Sequence, residues 1–142
     1  MVLAVEADGI QTWRVNSMFH RTDGPSVILA DGTQLWYEHG KRHRTDGPAG
    51  IYANGTQVWY VNNKVHRTDG PAVTNINGIK EWIVNGLRHR TDGPAVIDAY
   101  GTQYWWIRGQ NLTEEITSWM QQRDIAWPWD ESAQVEFNLT WL

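Results

Sequence analysis

Four copies of His-Arg-Thr-Asp-Gly-Pro stand in this 142-residue chain, opening at His20, His43, His66 and His89. Each sets an imidazole, a guanidinium, a hydroxyl and a carboxylate side by side, and 23 residues separate one copy from the next. Guanidinium forks recognise phosphate or carboxylate through paired hydrogen bonds. Arg21, Arg44, Arg67 and Arg90 are therefore a candidate anion-binding ladder. Asp23, Asp46, Asp69 and Asp92, two residues further on, would neutralise much of its field. The stronger account of the motif is structural: Asp bonds its own backbone, Gly opens the turn and Pro fixes the exit. Arg would then pair with an Asp of the same or the next unit, and His would pack against a Trp ring.

Metal binding and catalysis have less support. With two strands per repeat, equivalent residues stand about 10 Å apart, too far for the histidines to share one ion at ligand distances of about 2 Å. Catalysis needs distinct groups with separated pKa values in one pocket, and identical copies of each polar group supply none. Glu114 and Glu115 read as the ordinary acidic complement of a helix start. The absence of Cys removes disulfides, thiolate metal sites and a catalytic thiol. The expectation is a non-enzymatic binding protein without cofactor or metal.

Aromatic side chains are the other chemical resource, and ten are tryptophans. Trp13, Trp36, Trp59, Trp82 and Trp105 keep the 23-residue step, each four residues after a Gly. Bulky aromatics dominate burial, so these five are expected to form the core. Tyr37, Tyr60 and Trp106 directly follow period tryptophans, where Arg14 and Ile83 stand in the other units. Neighbours in a strand face opposite sides, so this second row should look outward and anchor an interface. Trp127 and Trp129, flanking Pro128, form a second candidate patch or close the end of the fold.

The elements that must carry these rows follow from the period, which marks a repeat architecture. Residues 2–8 (VLAVEAD) align with residues 25–31 (PSVILAD), so the repeat is already under way at the start. Asp8-Gly9, Asp31-Gly32, Asn54-Gly55 and Asn77-Gly78 separate β-tolerant runs, and such dipeptides signal tight hairpins with both residues at positive φ. A second turn follows each Trp strand, as at His39-Gly40 and Asn85-Gly86. Residues 1–110 are expected to form an elongated antiparallel meander of about five β-hairpin units, each touching only its neighbours. The period stops at Asn111. Leu112, Ile116, Trp119 and Met120 lie on one helical face, with Asn111 and Glu114 as a start signal of the capping-box kind. Val135, Phe137, Leu139 and Trp141 alternate with polar residues, which predicts a final half-buried strand. Residues 111–142 are read as a helix-plus-strand cap that covers the open sheet edge.

Residues 36–43 (WYEHGKRH) and 82–89 (WIVNGLRH) resemble the MORN repeat, a β-hairpin unit of similar length. The fuller His-Arg-x-Asp-Gly-Pro-Ala form, with its hairpin turn and Trp strand, is similar to a repeat of bacteriophage proteins that often end in a helix and a Trp-Pro segment. The resemblance spans roughly residues 1–142. It implies a phage accessory protein in the host cytoplasm that binds and inhibits or adapts a host protein, as in counter-defence. Two alternatives stand beside it: a sponge for a small anionic ligand such as a nucleotide signal, and a virion structural or assembly component.

Charge narrows the partners. Residues 1–110 carry a net charge of +1 and residues 111–142 a net charge of −5. Without a general basic face, nucleic-acid binding is not expected. No apolar run reaches the ~18 residues of a membrane span. The first seven residues lack a basic start, so no signal peptide is expected. Homo-oligomerisation is left open by the sequence.

Overall fold

Each 23-residue unit turns twice, and the two turns use different chemistry. At the first, only glycine is left-handed, with φ between +82° and +88° at Gly9, Gly32, Gly55, Gly78 and Gly101. The residue before it stays in the ordinary region, against the expectation of two left-handed residues. Asp31 Oδ1 instead accepts the Thr33 N–H at 2.8 Å, and Asn54 Oδ1 the Thr56 N–H at 3.0 Å, so the carboxylate or amide holds the turn. At the second turn both central residues are left-handed, as in Asn62 and Asn63 (φ +48° and +68°). That pair suits the twist of a two-residue hairpin.

The computed structural model describes residues 1–142 and is mainly β, with two helices at the C-terminal end. Eleven short strands form one antiparallel sheet, running from Val2–Val5 to Gln103–Tyr104. Its register passes from unit to unit: Leu35 pairs Gly50, Gly50 pairs Val58, and Val58 pairs Val73. Four two-stranded ribbons stand beside this sheet, one for each second turn after the first, such as Tyr60–Val61 with Lys64–Val65. The period Trp is the joint between sheet and ribbon. Trp59 donates its N–H to Ala72 of the next unit at 2.8 Å, and its carbonyl accepts the His66 N–H at 3.0 Å. The Arg67 N–H then reaches the Ile83 carbonyl one unit on, at 3.0 Å, which ties each loop to its successor.

In the repeats before Trp105, burial is confined to small and medium residues. Ser26, Ala49, Ala72 and Ala95 are sealed at 0% exposure, each directly after the loop proline. The large core lies at the C-terminal end, where Trp105, Ile107, Leu112, Ile116, Trp119 and Phe137 form one cluster. Helix α1 (Thr113–Gln122) buries Ile116 and Trp119 on the expected face. It begins after Leu112, while Asn111 Oδ1 accepts the Thr113 N–H at 3.1 Å.

The predicted final strand is instead a second helix, α2 (Glu131–Trp141). Asp130 caps it, with Oδ1 accepting the Ala133 N–H at 2.8 Å. Phe137 and Trp141, four apart, turn toward the core, whereas Val135 and Leu139 are exposed. The alternating pattern mixed two sides of a helix. No helix is long and apolar enough to cross a membrane.

Candidate functional site: grooves between the repeat loops

The Arg of each loop is clamped from three directions. Nε of Arg21, Arg44, Arg67 and Arg90 donates to the Asp two residues on at 2.7–2.8 Å. One terminal nitrogen donates to the carbonyl of the loop proline at 3.2–3.3 Å. The guanidinium plane lies 3.9–4.2 Å from the ring centre of Trp13, Trp36, Trp59 or Trp82 respectively. The loop glycine leaves room for this: a Cβ at Gly47 would stand 2.6 Å from the Arg44 guanidinium carbon. The sequence's Asp–Arg pairing within one unit is therefore present. The four tryptophans are half-buried under arginine rather than fully in a core, and only Trp105 is sealed.

The histidines do not pack on these rings. Nδ1 of His20, His43, His66 and His89 accepts the turn N–H of His39, Asn62, Asn85 and Arg108 at 3.0–3.2 Å. An accepting Nδ1 requires a neutral ring. Burial, then the charge of Arg108, lowers the pKa of His89. The arginine hydrogen bond, then its charge, holds Asp23, Asp46 and Asp69 below the ordinary carboxylate value.

Both shifts are depressions on folding, so both stabilise at higher pH. His89 stabilises the fold above the unfolded-state value of about 6.5, and that contribution fades as pH falls below it. The carboxylates stabilise above about pH 4, and their share is lost as pH falls through the lower folded-state values. Thermal melts should show a shallow decline below about pH 6.5 and a steeper one below about pH 4, the latter reduced in Asp46→Asn/Asp69→Asn. A midpoint that stays level down to about pH 3 would contradict the clamp geometry.

Successive loops wall a row of grooves. The first, of about 530 Å³, lies between residues 21–24 and residues 43–46, with Trp36 and Glu38 between them. The second, of about 210 Å³, has Trp59 and Val61 there, and the third, of about 630 Å³, has Trp82 and Val84. Asp23, Asp46 and Asp69 line these grooves with side chains 70–82% exposed, so carboxylate rather than free guanidinium meets solvent.

A fourth groove in the same series is filled by the chain itself. Its walls would be the loop of Arg90 and the segment at Leu112, whose N–H meets the Trp105 carbonyl as those of the histidines meet theirs. Trp129 stacks on Trp105 at 5.0 Å and 15°, the place an arginine holds over Trp36, Trp59 and Trp82. Trp127 donates Nε1–H to the Asp92 carbonyl at 2.9 Å, and Gln134 donates its amide to the Thr91 carbonyl at 2.8 Å. Trp127 and Trp129 are thus half-buried parts of the cap rather than an open patch, because the last groove consumes their faces.

The second aromatic row is half-buried as well. Arg42 lies over both Tyr37 and Tyr60, at 4.9 and 5.3 Å, and Arg88 lies 5.1 Å from Trp106. Arg42 and Arg88 escaped the sequence reading, although they occupy the same position two units apart, before His43 and His89. The groove carbonyls and Gln134 escaped it too, and neither carries a sequence signal. The constant offset of eight residues from each Trp to its Arg, as from Trp36 to Arg44, was a usable sign of the stacking. No family model, curated protein or solved structure matches this chain.

Proposed function

We propose that this chain is a non-enzymatic binding protein that engages a partner protein along its row of loop grooves. The observation that carries this is the threefold repetition of one walled recess, with a Trp floor and an exposed carboxylate, on successive units. Repeat arrays use such regular surfaces for extended contacts. Following the resemblance to bacteriophage repeat proteins, the partner is a host protein and the role that of an inhibitor or adaptor in the host cytoplasm. The groove residues supply hydrogen-bonding and stacking groups, and the loop carboxylates and imidazoles among them are held in hydrogen bonds within the chain.

Photo-cross-linking tests this directly. With p-benzoylphenylalanine in place of Thr45, inside the grooves, one host protein should be captured covalently in cells. The same group in place of Tyr100, 95% exposed on a first turn away from the grooves, should capture none. Equal labelling from both positions, or none from Thr45, would reject the reading.

Sequestration of a small anion has weaker support, because Nε and one terminal nitrogen of each ladder arginine are already committed within the loop. A panel of nucleotides is therefore expected to leave the melting temperature unchanged. A reproducible rise that disappears in Arg44→Ala/Arg67→Ala would reverse that ranking.

A further inference from the structure

From the filled fourth groove we infer that the three open grooves receive tryptophan side chains of the partner, each indole seated on a loop glycine with its N–H given to a loop carbonyl. This rests on the binding reading above and specifies its chemistry.

The fourth groove displays the contacts. Trp127 lies so close to the loop that a Cβ on Gly93 would stand 2.9 Å from its indole Cζ2 and Nε1. Its N–H is taken by Asp92, and its ring lies 5.4 Å from the Arg90 guanidinium, whose stacking partner on Trp82 is at 3.9 Å. One arginine thus serves two indoles. Gln134 adds a carboxamide donor to the neighbouring Thr91 carbonyl. Pro94 is buried, whereas Pro25, Pro48 and Pro71 of the open loops are half-buried.

The other loops repeat this receptor without its occupant. Gly24, Gly47 and Gly70 stand where Gly93 stands, and an added Cβ there would have only the loop's own arginine as its nearest neighbours. The backbone carbonyls of Thr22, Thr45 and Thr68, and of Asp23, Asp46 and Asp69, accept no hydrogen bond within the chain. Thr22, Thr45 and Thr68 are exposed, whereas Thr91 is half-buried. The arginines already rest on Trp13, Trp36 and Trp59, so each offers a pre-positioned cationic surface to an incoming ring.

Of Trp127 and Trp129, only one has an open counterpart. The place of Trp129 is taken in each open groove by Arg44, Arg67 or Arg90 over its own Trp. The place of Trp127 is vacant in all three. The occupant is a partner segment rather than a second copy of this cap, because Trp127, Trp129 and Gln134 are already engaged in their own chain. A tryptophan with an amide donor nearby satisfies both carbonyls, and a phenylalanine in its place leaves the Asp carbonyl unpaired.

N-acetyl-tryptophanamide carries both donors and serves as the probe. Titrated into the protein and followed by backbone amide NMR, it should shift residues 22–24, 45–47 and 68–70 and leave residues 91–93 unmoved. N-acetyl-phenylalaninamide and the 1-methylindole analogue should bind far more weakly, with loss of the anchor worth about 30-fold or more. Trp127→Phe should then render residues 92 and 93 responsive to the probe. Equal response to all three probes, or none in the groove amides, would overturn the inference. If the probe fails while cross-linking through Thr45 still captures a host protein, tryptophan recognition falls and the binding reading stands. If both fail, so does the binding reading.

Discussion

Phe137→Ala is expected to lower the unfolding free energy by about 3–5 kcal/mol, the usual range for emptying a buried Phe site. The ring is sealed at 0% exposure and lies within 4.6 Å of Trp129, 6.0 Å of Trp119 and 6.4 Å of Trp105 and Trp141. Those four indoles come from the last repeat, both helices and the connection between them, so no single neighbour can collapse into the void. Urea unfolding should report the loss, and near-ultraviolet dichroism should weaken as the indoles lose fixed surroundings. Leu139→Ala, two residues on, is the control. Its side chain is 85% exposed, and removal should change stability by no more than about 0.5 kcal/mol. Equal effects of the two substitutions would refute the placement of Phe137 inside the fold.

Ala72→Leu is expected to cost about 1–3 kcal/mol by overpacking. Ala72 has no exposed surface, its N–H donates to Glu81, and its carbonyl accepts the Trp59 N–H, both at 2.8 Å. Three additional carbons can be housed only by separating adjacent units, which would strain these two bonds. Ala72→Ser provides the comparison. Ser26 occupies the equivalent position and gives its oxygen to the Tyr37 N–H at 2.9 Å, so serine should be tolerated. A denaturation midpoint unmoved by leucine would mean that the units pack with slack.

The repeat meander was legible because turns leave chemical marks. Asn54-Gly55 and Asn62-Asn63 have few alternative uses, and a 23-residue recurrence of such marks repeats the hairpin with them. Helix α1 was legible from Leu112, Ile116 and Trp119. Helix α2 was misread because apolar residues at positions 135, 137, 139 and 141 satisfy a two-residue period as readily as they sit around a helix. Asp130 as a capping residue was the counter-signal. The groove series lay further from reach. That Arg44 lies on Trp36 depends on loop folding, and that Trp127 meets Gly93 depends on contact across 34 residues of chain. Composition could mark Trp127 and Trp129 as unusual but not as occupants of a site built by the repeats.

The tie between each loop and its successor also makes the number of units adjustable. Excising residues 43–65 would join Arg42 to His66, recreating the Arg42-His43 junction in sequence and returning the following turns and Trp in register. The cap grips the final loop and Trp105 and Ile107 of the last repeat, so it would not sense the change. The molecule is in this respect a ruler with a fixed stop at one end. Its span can be lengthened or shortened in whole steps without redesigning any part.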